Sequence, residues 1–216
     1  MSRFEDDQYE TIAKPVTTKL TVKKSRFIGV MRSVDSMESV KFALSATQRA
    51  YPSASHYCYG YQFGLGKKLR SYATDDGEPT NSAGKPILSI LKASGLSNLI
   101  CLITRYYGGV NLGVGGLIRA YSQCTKQCID LAETITQTCY QQLVITVVYD
   151  KIDHIYRLSR KMKAVISDVV YGQNVVIQIK VRPSVKPQFT DQLMGISGVI
   201  SVDIPSKNKI SFREYA

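Results

Sequence analysis

The segment from Leu99 to Asp130 constrains the fold of this chain more than any other. It begins with "LICLI", a continuous apolar run typical of a central strand that is buried on both faces. The next thirteen residues, Thr104 to Gly116, contain five glycines. The letters "GGLIRAYSQCTKQCIDLA" then repeat apolar residues at helical spacing. The sequence therefore predicts a buried strand that turns through a glycine-rich loop into a long amphipathic helix.

This junction is suited to binding an anion, because loop amides and the positive end of a helix dipole both favour negative charge. Arg105 and Arg119 would add planar donors. Neither nucleotide fingerprint fits, since Ile118 stands at the third glycine of GxGxxG and no Gly-Lys-Ser/Thr follows. The alternative is that the glycines only permit positive φ and close packing. The predicted anion- or nucleic-acid-binding candidates are His56, Arg70, Lys85, Arg105, Tyr106, Gly108, Gly109, Gly113, Gly115, Gly116 and Arg119.

An acidic loop precedes this segment, with Asp75, Asp76 and Glu78 around Gly77. Three carboxylates can hold Mg²⁺ or supply a general base. They can also cap a helix, or pair with a cation such as Arg70, Lys85 or Arg105. The calcium-loop spacing is absent, and no nucleophile elbow or HExxH motif occurs. We expect a solvated turn with a capping role, no catalytic residue, no metal and no cofactor.

The aromatic pair Tyr106 and Tyr107 lies beside basic residues, an arrangement that suits stacking on nucleic-acid bases. Strand alternation predicts that one of the two rings faces the core. Cys124 and Cys128 share a helical stripe with Leu117, Tyr121 and Leu131, which indicates core packing for these thiols.

The order of elements indicates an α+β fold in two domains, residues 1–135 and 136–216. The first is predicted as β-β-α-β-β-α-β-α, with the first helix capped by Ser36 or Asp35 and ended at Tyr51-Pro52. The second is predicted as β-α-β-β-α-β, the ferredoxin-like plan. The last letters, "KISFREYA", are either an edge strand or a tail.

The composition of the chain indicates where in the cell the protein acts and which classes of partner it favours. No apolar run approaches a membrane span, no signal peptide is recognisable, and the five cysteines form no CxxC pair. We therefore expect a cytoplasmic protein without a membrane partner. The net charge of +11 favours polyanions such as RNA or the ribosome, but no Lys/Arg run exceeds two residues. A basic protein with no nucleic-acid role remains the alternative.

Four motifs together resemble the signature of the IMPACT/YigZ family, in the two-domain bacterial form. They are "KKSRFIG", "SHYCYGY", "TDDGEPTNSAGKPIL" and "TRYYGGVNLGVGGLIRAYS", in this order over roughly residues 20 to 130. The chain departs from the family pattern at Asn81-Ser82, where Gly-Thr is common, and at Tyr107, where Phe is common.

The resemblance implies that the first domain is an IMPACT N-terminal α/β sandwich, like the second domain of a small-subunit ribosomal protein and domain IV of elongation factor G. The second domain would resemble domain V of that factor. Eukaryotic IMPACT proteins carry a different partner domain and act in translational control. We recognise no segment for that domain in this sequence, so we expect that their role does not transfer directly. We therefore expect a non-enzymatic binding protein that associates with RNA or the ribosome. The alternatives are an enzyme acting on a phosphate-bearing small molecule and a regulator that binds a protein partner.

Overall fold

The computed structural model describes residues 7–64, 66 and 69–205, and the predicted element "KISFREYA" lies outside them. Contacts divide these residues into a unit of 9–136 and a unit of 7–8 with 137–205. Both are mixed α+β units, so the predicted fold class is confirmed. The predicted domain limits of 1–135 and 136–216 stay a prediction. No helix in the described residues is long and apolar enough to cross a membrane.

The first unit is built on a five-stranded antiparallel sheet in the order β2-β3-β6-β4-β5. A separate pair, β1 with β7, forms a two-stranded sheet, and the sequence did not predict either strand. The elements are β1 (Gln8–Ile12), β2 (Val16–Val22), β3 (Ser25–Ser33), α1 (Met37–Ala50), β4 (His56–Phe63), β5 (Arg70–Thr74), α2 (Gly84–Ser94), β6 (Leu99–Tyr106), α3 (Gly113–Asp130) and β7 (Thr134–Thr138).

Strand β6 is the centre of this sheet, as its apolar run predicts. Cys101 and Ile103 join the larger core with residues of α2 and α3, whereas Ile100 and Leu102 join a second core with α1. Because successive side chains of a strand point to opposite faces, helices on both faces require an apolar residue at every position of β6.

Local signals placed the helices well. Ser36 caps α1 and exchanges hydrogen bonds with Ser39 in a capping box, and the helix ends at Tyr51. In α3, Cys124 and Cys128 are fully buried, as their stripe predicts. Leu131 is exposed, contrary to that stripe, because α3 ends at Asp130 and the stripe does not continue past the helix.

The second unit has a four-stranded antiparallel sheet in the order β11-β8-β10-β9. The observed β-α-β-β-α-β order confirms the predicted ferredoxin-like plan. Alternate residues of β8 and β10 are buried in one apolar core with α4 and α5. The elements are β8 (Gln141–Val147), α4 (Ile152–Lys161), β9 (Val165–Tyr171), β10 (Val175–Val181), α5 (Lys186–Met194) and β11 (Val199–Asp203).

Candidate functional site

A buried ion pair lies beneath the glycine-rich segment. Arg105 Nη1 donates to Glu78 Oε1 over 2.7 Å, and the two residues are 5% and 8% exposed. The Tyr121 hydroxyl donates to the same oxygen over 2.7 Å. Burial raises the pKa of Tyr121 well above its usual range, so the phenol remains protonated and continues to donate. Glu78 is therefore held by a guanidinium and a hydroxyl inside the first unit.

Aromatic rings complete the surroundings of Arg105. Its guanidinium carbon lies 5.5 Å from the centre of the Phe27 ring and 5.4 Å from that of Tyr107. A second nitrogen, Nη2, donates to Ser25 Oγ over 3.4 Å. A guanidinium that is buried and already paired is not available to an anion in solvent. The structure thus removes Arg105 from the anion-binding candidates and assigns it to the interior.

The other two carboxylates of the acidic loop are also occupied within the first unit. Asp75 accepts hydrogen bonds from the backbone N–H groups at the start of α2, those of Asn81, Ala83 and Gly84, at 2.8 to 2.9 Å. Asp76 Oδ2 accepts from the backbone N–H of Tyr57 over 2.6 Å. The expected capping role is therefore present, but it comes from Asp75 at a distance of eight or nine residues along the chain.

The five glycines between Thr104 and Gly116 have different structural roles. A Cβ at Gly108 would overlap the backbone of Lys24 and Ser25. Glycine is therefore required here, because two backbone segments approach closely at this position. Gly109 and Gly113 have φ of 79° and 68°, which L side chains rarely adopt. Gly115 and Gly116 lie in the first turn of α3, and a Cβ at Gly115 would meet only ordinary contacts.

The turn that packs on Gly108 is cationic, and the sequence-based candidates did not include it. Lys23 and Lys24 form the two-residue loop between β2 and β3, and both are exposed. Their φ angles are 45° and 68°, the left-handed pattern of a type I′ turn, which normally favours Asn-Gly. A pair of lysines between two alternating strands is the sequence signal that could have found this turn.

Arg26 and two tyrosines extend the cationic turn along the same end of the sheet. The Arg26 guanidinium carbon lies 4.8 Å from the centre of the Tyr106 ring, and the Tyr106 hydroxyl donates to Pro52 O. Tyr106 is half-buried and Tyr107 is 53% exposed. The prediction that one of these rings faces the core is wrong, because the buried run of β6 ends at Arg105. Tyr106 is the last residue of the strand and is only half-buried, and Tyr107 lies beyond the strand. We call Lys23, Lys24, Arg26, Tyr106 and Tyr107 the cationic end.

Of the remaining candidates, His56 lies opposite Arg105 in the sheet, and the others are dispersed. His56 starts β4, and its Nδ1 lies 2.7 Å from Asp76 O. Arg70 pairs with Phe63 at the far end of the same hairpin, seven residues from His56 or about 23 Å along the strand. It is therefore not part of the cationic end. Arg119 is exposed on α3, and Lys85 is exposed in the first turn of α2.

A groove runs between α2 and α3 and has a volume of about 560 Å³. Its lining is mainly apolar, with Lys85 and two serines among the polar residues. The lining residues are Asn81, Lys85, Pro86, Ser89, Ile90, Ala93, Ile118 and Ser122. Across residues 7–64, 66 and 69–205, no cluster of three or more His, Cys, Asp or Glu side chains is arranged to hold a metal ion.

Comparison with known proteins identifies the family. The Impact N-terminal domain matches residues 23–129, and a domain of unknown function (DUF1949) matches residues 145–197. The IMPACT family member YigZ of Escherichia coli (strain K12) is 30% identical over 186 residues, which cover 86% of this chain and 91% of that protein. The chain belongs to the IMPACT family. The resemblance proposed from the sequence motifs is thereby confirmed.

A further IMPACT protein and a solved structure are similar to this chain over most of its length. YvyE of Bacillus subtilis (strain 168) is 26% identical over 189 residues, covering 88% of this chain and 87% of that protein. A crystal structure of a hypothetical protein has a TM-score of 0.67 at 27% identity, and the match covers 94% of this chain and 99% of that one. The similarity therefore spans both units.

This chain departs from the usual IMPACT motif at Asn81, Ser82 and Tyr107, and at Asn81 the backbone has the left-handed conformation that the usual glycine would favour. Asn81 has φ of 62°, a left-handed conformation that asparagine tolerates and glycine favours. Ser82 is fully buried, and no partner for its hydroxyl is found among the described residues. Tyr107, like the Phe that is common at this position, has an aromatic ring, and this ring lies near the Arg105 guanidinium. The backbone N–H of Tyr107 donates to Ser55 Oγ over 3.1 Å.

Proposed function

We propose that this IMPACT protein is a non-enzymatic, cytoplasmic binding protein that associates with RNA or the ribosome and acts in translation or its regulation. The observation that carries the RNA-binding part is the Lys23-Lys24 turn. Left-handed backbone costs a non-glycine residue about 1–2 kcal/mol, and this turn places two lysines in succession where Asn-Gly would be favoured. The strained backbone does not favour stability. Its presence at an exposed turn with two lysines therefore supports a functional role for their charges.

The charge balance at the cationic end supports the same proposal. The three ion pairs of the described residues involve neither Lys23, Lys24 nor Arg26. The carboxylates of the acidic loop are engaged with backbone amides and with Arg105. Exposed cations without carboxylate partners attract a polyanion without first having to exchange an internal partner.

The exposed ring of Tyr107 adds a contact that suits RNA in particular. Its ring packs near the Arg105 guanidinium and is 53% exposed. Bases stack on such rings whatever their sequence, whereas neighbouring lysines and arginines contact phosphates. The translational part of the proposal depends on membership of the IMPACT family, because that resemblance implies domains like those of a small-subunit ribosomal protein and of elongation factor G.

The decisive experiment exchanges the strained turn for the favoured one. Lys23→Asn/Lys24→Gly should raise the free energy of unfolding by about 1–2 kcal/mol, because the left-handed positions are relieved. It should also weaken binding to a fluorescent single-stranded RNA and to purified ribosomes, measured over a salt series. The charge-matched control is Lys41→Ala/Lys92→Ala, which removes two exposed cations from helices α1 and α2. Equal RNA affinity for the two variants would exclude the cationic end.

A protein partner is the second candidate function, and the groove between α2 and α3 favours it. Ile118 is 37% exposed on one wall, and Pro86 and Ile90 line the other. Ile118→Asp should abolish capture of a protein partner from lysate treated with nuclease while leaving RNA binding intact. The enzyme alternative has less support, because all three acidic-loop carboxylates already serve the fold.

A further inference from the structure

The second unit carries a group of cations that the proposed function does not use. Residues 137–205 contain eight lysines and arginines against five aspartates and no glutamate. Four of the eight fall within seven residues at the end of α4. They are Arg157, Arg160, Lys161 and Lys163, and we call them the α4 cations.

The α4 cations lie on one exposed side of the second unit. Ile155, Leu158 and Ser159 are buried against the sheet, so helical spacing directs Arg157, Arg160 and Lys161 to the opposite face. All four α4 cations are exposed. Arg157 and Lys161 are four residues apart, which separates them by about 6 Å along the helix axis.

No α4 cation forms an ion pair with a carboxylate within the described part of the second unit, although exposed Asp153 precedes Arg157 by one helical turn. The ion pair found there joins Lys151 to Asp150, at 2.9 Å. Arg157 Nε donates only to the backbone oxygen of Asp153, at 3.3 Å. Cations near the end of a helix are stabilised by the helix dipole, but two of the four would satisfy that role at the last turn. The remaining positive charge is available to an external polyanion.

We propose that the α4 cations form a second RNA-binding surface, which contacts the phosphate backbone; this inference rests on the RNA association proposed above. Arginine favours phosphate oxygens because its planar guanidinium donates two hydrogen bonds at once. The open face of the ferredoxin-like sheet is poorly suited to base stacking, since β8 and β10 contain no aromatic residue. Contacts from the exposed face of α4 would therefore depend on the charge of the RNA backbone and not on the base sequence.

RNA is favoured over an anionic membrane because α4 has no apolar residues left to insert. Helices that lie in a membrane interface bury an apolar face among the lipids. In α4 that face is already buried, with Ile155 and Leu158 at 0% and 8% exposure. A lipid surface would be held by charge alone, and this outcome is distinguished by the experiment below.

The test uses the full chain and a fluorescent single-stranded RNA of mixed sequence, roughly 20 nucleotides long so that it exceeds a typical binding site. Arg157→Ala/Lys161→Ala should lower the affinity on the order of tenfold at moderate salt. It should also reduce the slope of log K against log salt by about 1.4, corresponding to two lost phosphate contacts on a single strand. The matched control is Lys41→Ala/Lys92→Ala, which removes the same charge elsewhere.

Further arms separate the possible results. If the α4 variant and the control lose RNA affinity equally, only net charge matters and the proposal is overturned. If the α4 variant loses binding to phosphatidylserine-containing vesicles but keeps RNA affinity, the surface is a membrane contact and the proposal is also overturned. Unchanged circular dichroism spectra and melting temperatures confirm that each variant is folded. Lys23→Ala/Lys24→Ala is measured in parallel, so that loss of the cationic end can be told apart from loss of the α4 surface.

Discussion

Arg105 Nη1 and Glu78 Oε1 are 2.7 Å apart in the interior of the first unit, where each residue is less than a tenth exposed. These residues belong to two different family motifs, "TRYYGG" and "TDDGEPTNS". The pair joins the acidic loop to the end of β6, next to the glycine-rich turn. Its first consequence concerns stability, since a buried charge that loses its partner is strongly unfavourable.

Replacing Glu78 with Gln should lower the free energy of unfolding by about 3–5 kcal/mol, because Arg105 would remain buried without a counter-ion. Urea denaturation measures this change. The double variant Glu78→Leu/Arg105→Met removes both charges and should be less destabilised than the sum of its single substitutions. Additive losses would mean that the ion pair does not couple the two positions.

Alanine should have opposite effects at two glycines of the same motif. Gly108→Ala places a Cβ into the backbone of Lys24 and Ser25, and we expect a loss of about 3 kcal/mol or more. Gly115→Ala meets no close contact in the first turn of α3 and should stabilise by about 0.5–1 kcal/mol. Thermal unfolding of both variants checks this contrast. Similar destabilisation by both would contradict the separate roles of these glycines.

Asp75 should matter for the start of α2 more than for any reaction. Its carboxylate accepts three backbone hydrogen bonds there, so Asp75→Ala should cost about 2 kcal/mol of stability. Asp35→Ala is a suitable control, because that exposed aspartate precedes α1 and Ser36 supplies the cap. A melting temperature unchanged by Asp75→Ala would contradict the capping role.

The buried thiol of Cys124 should be unreactive in the folded protein. Burial raises the pKa of Cys124 from 9.0 to about 12, so the nucleophilic thiolate is scarce at pH 8. Mass spectrometry after iodoacetamide treatment should find Cys124 modified only when urea is present. Below pH 9 the thiol is protonated in both states and its contribution to stability is complete. As the pH rises from about 9 towards 12 the unfolded state ionises first, so the free energy of unfolding falls.

Elements with strong local signals were predictable from the sequence. Ser36 and Tyr51 bound α1 as expected, and the ferredoxin-like order of the second unit follows from its alternating strands and helices. Strands β1 and β7 were missed because each is short and mainly polar, and its partner lies more than a hundred residues away instead of in a neighbouring hairpin. Such a pairing leaves almost no periodic signal in either segment.

The role of the acidic loop could not be determined from the spacing of its carboxylates in the sequence. Magnesium binding, general-base chemistry, helix capping and ion pairing were all compatible with Asp75, Asp76 and Glu78. Folding brings Glu78 to Arg105 and Tyr121, which are 27 and 43 residues further along the chain. It also buries Arg105, the leading anion-binding candidate, and exposes Lys23 and Lys24 beside Gly108.

Local patterns were thus sufficient for the family, the α+β class and the central position of β6, because periodicity, caps and motif order are properties of neighbouring residues. The partner of each charged side chain depended on the fold. Burial and ion pairing arise between segments that are distant in the sequence, and their energies depend on how far water is excluded. For this reason the arginine of "TRYYGG" belongs to the interior, whereas both lysines of the Lys23-Lys24 turn face solvent.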